Sequence, residues 1–289
     1  MLKIMFIAEW GRSPSQILET FKKQTPNESG QWGSILGVSD FEEADYYIIF
    51  DSYPASYEKM IDFDRAILIR REPPQIFQDS RVNIEKYFKV YNLPCFEGNS
   101  FNPVTWWIGK NYDELKKLKY YDIDKTKRIS CISSSKWPER SKFVKFLSKS
   151  ITEIEVWGRW NRGLYDFDFT DFTQYKGELK DKFHGLAEYD YSVCIENISY
   201  KNYWTEKIAD AILSWSIPIY YGSPNIYNFF PQECVIPIDL TKKSIKDIRD
   251  IVKNKPSSTE VDALAFARNK ILDEYNIWNM IENIIEEVR

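Results

Sequence analysis

Residues 189–239 hold the densest arrangement of chemically useful side chains in the chain. A β-rich run ends at Glu196-Asn197, a polar loop follows, and Thr205 opens a helical stretch whose first residues are Glu206 and Lys207. The next apolar run closes at Gly222-Ser223-Pro224. A helix N-terminus presents free N–H groups and the positive end of a dipole, so phosphate is favoured there, and Lys207 would add a point charge. Glu206 could then accept from sugar hydroxyls. The same two residues also suit a solvated helix start with a weak local ion pair, and their spacing leaves both readings open.

Carboxylates dominate the remaining candidates. Three Asp-x-Asp triplets, Asp62 to Asp64, Asp122 to Asp124 and Asp166 to Asp168, offer the hard oxygens that hold a divalent cation at a sugar diphosphate. With 43 Asp and Glu in the chain, such triplets also arise by chance. Gly30, Gly33 and Gly37 do not form Gly-x-Gly-x-x-Gly, and no Gly-x-x-x-x-Gly-Lys-Ser/Thr occurs, which argues against dehydrogenases and P-loop enzymes. The single histidine, His184, excludes mechanisms needing two or three imidazoles. It lies away from the other candidates, so a structural or surface role is expected. Cys95, Cys131, Cys194 and Cys234 are widely spaced and read as reduced, buried thiols.

These residues need a scaffold. A length of 289 residues favours two domains. Short β-rich runs alternate with amphipathic stretches, as in α/β layering. Strands are expected at residues 2–8, 46–50, 66–69 and 87–91, then a helix at 112–118 and a polar connector at 121–128. The pattern restarts with strands at 129–132, 154–157, 191–195 and 217–220, and helices near 140–149 and 205–215. From Val261 onward apolar residues recur at helical spacing. The expected organisation is an N-terminal domain over residues 1–120, a second doubly wound domain over 128–255, and terminal helices over 256–289 packing back on the first. Ligands would sit in the cleft between the domains, at the carboxyl ends of the strands.

Charge and hydropathy narrow the partners. Lys and Arg total 39 against 43 acids, for a net charge of -4, so no basic field exists for nucleic acid and none is expected as a partner. No stretch approaches the ~18 apolar residues of a membrane span, and the apolar start runs into Glu9. A cytoplasmic protein without a transmembrane span is expected, compatible with peripheral association at a membrane.

Residues 189–239 resemble the donor-binding signature of family 10 glycosyltransferases, the α-1,3/α-1,4-fucosyltransferases. Glu196-Asn197 and Tyr203-Trp204-Thr205-Glu206-Lys207 match its Phe-Glu-Asn and Tyr-x-Thr-Glu-Lys, and Ile217-Pro218-Ile219 with Gly222 stand for its Val-Pro-Val strand and glycine. The run from Cys131 to Arg140, CISSSKWPER, and Val156-Trp157-Gly158-Arg159 extend the likeness, and Arg70-Arg71-Glu72-Pro73-Pro74 is similar to the family's short Glu-x-Pro stretch. The resemblance implies a GT-B-like α/β fold, an inverting transfer from GDP-fucose to a 3-OH or 4-OH of a glycan acceptor, Glu72 as catalytic base, and no essential metal. It also implies that Arg140 and Lys207 meet the diphosphate, that Tyr203 and Glu206 hold the nucleoside, and that Asn197 holds the sugar or nearby loop. A guanidinium fits phosphate bidentately and an ammonium does not, so Arg140 and Lys207 are not redundant. Two rivals stand beside this: a metal-dependent glycosyltransferase using an Asp-x-Asp triplet and another nucleotide sugar, and a non-catalytic protein that binds nucleotide sugars or glycans.

Overall fold

The computed structural model describes residues 1–73, 75, 83–92, 104–133, 138–158 and 174–289. Pro74, Cys95, Arg159, the triplet from Asp166 to Asp168, and residues 134–137 of the Ser-rich run lie outside the described residues.

The first sheet grows from β1 (Leu2–Ala8), in which Ile4, Met5, Phe6 and Ile7 are fully buried. A strand buried on both faces reads as an unbroken apolar run, the mark of a parallel sheet with covered faces. α1 (Pro14–Lys22) follows, and its start is encoded locally. Ser13 accepts from the Gln16 N–H, Gln16 bonds back to the Ser13 N–H, and Pro14 occupies the first turn. β2 (Gln31–Trp32), β3 (Ile35–Val38), β4 (Tyr46–Phe50), β5 (Ala66–Arg70) and β6 (Lys89–Asn92) complete the sheet. Its order is β2-β3-β1-β4-β5-β6, with only the β2–β3 pair antiparallel.

The second sheet contains β7 (Lys127–Ile132), β8 (Ile154–Trp157), β9 (Tyr175–Gly177), β10 (Tyr189–Ile195), β11 (Ile217–Tyr221) and β12 (Ile236–Pro237). Helices α2 (Tyr112–Lys117), α3 (Pro138–Ser150), α4 (His184–Ala187) and α5 (Glu206–Leu213) accompany it. All its pairings are parallel, in the order β12-β11-β10-β7-β8-β9. By chain order within the sheet this is 6-5-4-1-2-3, the doubly wound order whose direction of winding reverses between β7 and β10. The crevice outside that pair, where β7 runs toward α3 and β10 ends at Glu196-Asn197, is where such a sheet binds ligands.

α6 (Lys242–Ile251), α7 (Ser258–Asn269) and α8 (Ile277–Glu287) end the chain, with one π turn at Lys270–Glu274 between the last two. α7 places Val261, Leu264 and Ala267 in the second core, together with Val104, Trp106, Ile108 and Leu115. α8 crosses to the first sheet, where Ile277, Trp278, Ile281, Ile284 and Ile285 share a core with Ile4, Phe6 and Phe21. The Trp278 indole meets Phe6 edge-on at 5.1 Å and donates to the Phe21 carbonyl at 2.8 Å. Gly37 in β3 admits this approach: a Cβ there would lie 2.7 Å from the Trp278 ring.

Candidate active site

Glu72 follows β5 by two residues, and its neighbours fix the turn. The Arg71 N–H donates to Asp51 Oδ1 at 2.7 Å, while the guanidinium reaches Asp51 Oδ2 at 3.0 and 3.2 Å. Asp51 sits just beyond β4 with φ +60, a left-handed conformation that Asp tolerates better than most residues. Arg71 is therefore spent on Asp51. Of Glu72's two oxygens, Oε2 accepts from the Tyr203 hydroxyl at 2.8 Å. Tyr203 is 131 residues later in sequence, so this bond joins the two sheets' carboxyl-end loops.

The Glu196 carboxylate, fully buried at the end of β10, faces the start of α5. It accepts from the Thr205 N–H at 2.8 Å and from its hydroxyl, and pairs with Lys207 Nζ at 3.2 Å. Thr205 in turn caps α5 by accepting from the Lys207 N–H. Lys207 Nζ also reaches Glu206 Oε1 at 3.3 Å. Lys207 is thus a cation held between two carboxylates, rather than the free point charge its place in the sequence suggests. Sequence reasoning counted Glu196 only as part of a motif. Its burial beside an ammonium gives it a job: an uncompensated lysine in this position would be costly.

The electrostatics follow from this packing. Burial works against an ionised Glu206, but Lys207, Lys182 and the Thr205 hydroxyl overcome it and bring its pKa down to about 2. Burial likewise opposes the charge on Lys207, and Glu196 and Glu206 outweigh it, so its pKa is raised. Lys182 pairs at 2.5 Å with Asp210, a fully buried carboxylate one turn along α5 from Glu206. The other Asp210 oxygen accepts from the Trp107 N–H at 3.0 Å, which ties the cleft wall to α5. Arg140, in the first turn of α3 and 8% exposed, donates to Asn197 Oδ1 at 3.3 Å. That pair joins the start of α3 to the residues that follow β10, at the reversal point of the sheet.

A cleft of about 240 Å³ is lined by Glu72, Tyr203, Thr205 and Glu206, with Trp10, Arg71 and Trp107 among its remaining walls. Of the residues expected at the site, Glu72, Tyr203 and Glu206 meet there. Arg140, Asn197 and Lys207 gather beside it around Glu196 and are not part of its lining. Trp10 and Trp107 escaped the sequence reading, because a lone tryptophan carries no signal until the fold brings it to a cleft.

The other candidates lie apart. Asp62 caps a short 3-10 turn and pairs with Arg65 at 2.8 Å. Asp122 bonds to the Lys119 N–H. Among the described residues, no group of three His, Cys, Asp or Glu could hold a metal ion. His184 is an exposed residue of α4 beside Asp181 and Glu188, and Cys131, Cys194 and Cys234 are buried free thiols. No helix among the described residues is long and apolar enough to cross a membrane.

Residues 123–255 match the family described as glycosyltransferase family 10 (fucosyltransferase) C-term. The chain is 38% identical over 60 residues to an alpha-(1,3)-fucosyltransferase, FucT, of Helicobacter pylori, covering 21% of this chain and 13% of that protein. It is 39% identical over 51 residues to an alpha-(1,4)-fucosyltransferase of Arabidopsis thaliana, covering 18% of this chain and again 13% of the relative. Among solved structures, an alpha1,3-fucosyltransferase superposes with a TM-score of 0.55 at 19% identity, covering 95% of this chain and 92% of that one. AviGT4, a glycosyltransferase involved in avilamycin A biosynthesis, superposes with a TM-score of 0.55 at 12% identity, covering 100% and 97%. At these identities the likeness is one of fold: two doubly wound sheets in the GT-B arrangement.

Proposed function

We propose that the protein is a glycosyltransferase moving fucose from GDP-fucose, with inversion, to a 3-OH or 4-OH of a glycan acceptor, a reading supported by the match of residues 123–255 to glycosyltransferase family 10. The donor is the one that the resemblance of residues 123–255 to the fucosyltransferase family implies. The observation that carries the reading is the cleft in which a glutamate of the first half meets Tyr203, Thr205 and Glu206 of the second.

In this mechanism an acceptor hydroxyl attacks the anomeric carbon from the face opposite GDP. The new C–O bond forms, the bond to the diphosphate breaks with its electron pair leaving on oxygen, and Glu72 takes the hydroxyl proton. Lys207 and Arg140 stabilise the charge gained by the diphosphate. Lys207 can turn toward the diphosphate only by sharing the hold of Glu196 and Glu206. Glu206 stays ionised across the working pH range and can accept from hydroxyls of the nucleoside. Trp10 and Trp107, which line the same cleft as Glu72, offer the acceptor aromatic surface.

Glu72→Gln tests the assignment. It leaves the GDP dissociation constant near that of the wild type in calorimetry and abolishes fucose transfer; a variant that turns over normally removes Glu72 from the reaction. Transfer proceeds at full rate in EDTA, and a loss restored by Mn²⁺ points instead to the metal-dependent rival.

A further inference from the structure

We propose that Tyr203 is a positioning residue for the Glu72 carboxylate, pinning Oε2 so that Oε1 stands ready for the acceptor hydroxyl. This rests on the reading of Glu72 as the base. Glu72 Oε2 receives the phenol at 2.8 Å, and Oε1 has no hydrogen-bond partner among the described residues although Glu72 lines the cleft. A glutamate with three rotatable bonds samples many orientations, and one strong directional bond to one oxygen removes most of them.

The phenol is itself held. Tyr203 is 3% exposed. Its carbonyl accepts from the Tyr220 hydroxyl at 3.2 Å, and that hydroxyl accepts from the Ser223 N–H at 3.0 Å. Gly222 makes room for this relay, since a Cβ there would lie 2.2 Å from the Tyr220 hydroxyl and 2.5 Å from Glu196. Tyr203 also remains a donor throughout the working range, because burial and the carboxylates of Glu196 and Glu72 raise its pKa. The resemblance alone would place Tyr203 on the nucleoside. The geometry gives it a partner in the other half of the molecule, so that the loop before α5 orients the base of a reaction whose donor that same half binds.

Tyr203→Phe keeps the ring and removes the bond. With wild type, Tyr203→Phe, Glu72→Gln and the double variant, three quantities are measured: kcat, donor KM and the GDP dissociation constant. In the Phe variant kcat falls about ten- to a hundredfold, as expected for a misplaced reacting group, while donor KM and GDP affinity stay within about threefold. In the Glu72→Gln background the Phe substitution has no further effect on the residual rate. A loss confined to donor KM and GDP affinity, or a kcat within about twofold of wild type, overturns the positioning role. A wild type that turns over no nucleotide sugar overturns the reading of the whole site, whereas an active wild type with an equally active Phe variant overturns the positioning role alone.

Discussion

Glu206 and Lys207 show how much of a residue's role depends on what lies beneath it. Both are partly exposed at the start of α5, yet Lys207 is pinned by a carboxylate with no exposure at all. Lys207→Ala therefore weakens GDP binding and also strands Glu196, costing on the order of 3 kcal/mol of folding stability. Arg140→Ala weakens GDP binding too, and calorimetry that finds either variant binding GDP as well as wild type removes that residue from the phosphate site. Glu206 makes a prediction in pH. Its pKa falls from 4.5 to about 2 on folding, so its stabilisation is complete above pH 4.5 and lost as pH drops toward 2. The penalty of Glu206→Gln in urea unfolding should then shrink between pH 6 and pH 3; a penalty independent of pH means the carboxylate's charge contributes nothing. The motif residues themselves were legible because their types and order are chemical. Glu196's pairing was not, since it joins residues that only the β10-to-α5 turn brings together.

The elements were legible where a periodic pattern ran long enough. Most of the expected strands and helices formed, with edges shifted by a residue or two: the run expected at 87–91 forms at Lys89–Asn92, and that expected at 129–132 starts at Lys127. β2, β9 and β12, of two or three residues, have no period to detect, because they are set by pairing with neighbours. α1 carries a local signal in Ser13-Pro14-Ser15-Gln16, a capping box with proline in the first turn, but its nine residues are too few for the apolar period to stand out. Arg268 shows the limit of a helical pattern. It looks like a solvated residue of α7 but is 3% exposed, with its guanidinium 4.3 Å from the Trp215 ring and donating to the Leu115 and Ile212 carbonyls in α2 and α5. Helix C-terminal carbonyls attract a cation, which only the assembled fold reveals. α8 gives this scale its test. Trp278→Ala should cost about 3 to 5 kcal/mol in urea unfolding, as a large buried aromatic does. Phe266→Ala on α7, 57% exposed, should change stability by less than about 0.5 kcal/mol. Equal effects would mean that α8 is not fastened to the first sheet as described.

At the scale of the molecule, the chain stitches its two sheets together more than a boundary near residue 120 suggests. Residues 104–118 pack in the second core, and α8, last in sequence, packs in the first. Val104 bonds to the Tyr275 carbonyl at 2.9 Å, and Asn276 joins Gln24 and Leu272 at the entrance to α8. Glu72 and Tyr203 add a bond at the cleft itself. The chain crosses between the cores in both directions, and hydrogen bonds at Val104, Asn276 and Glu72 join the halves, which argues for one cooperative transition rather than two. A ligand held by the second half should then protect the whole. At a hundredfold excess over its dissociation constant, a ligand that binds only the folded state adds about 2.7 kcal/mol. Calorimetric scans with GDP-fucose should therefore show a single endotherm displaced upward as a unit, with UDP and CMP sugars displacing it less. Two endotherms, of which GDP-fucose moves only one, would show that the halves melt separately and that the crossings by residues 104–118 and α8 do not couple them.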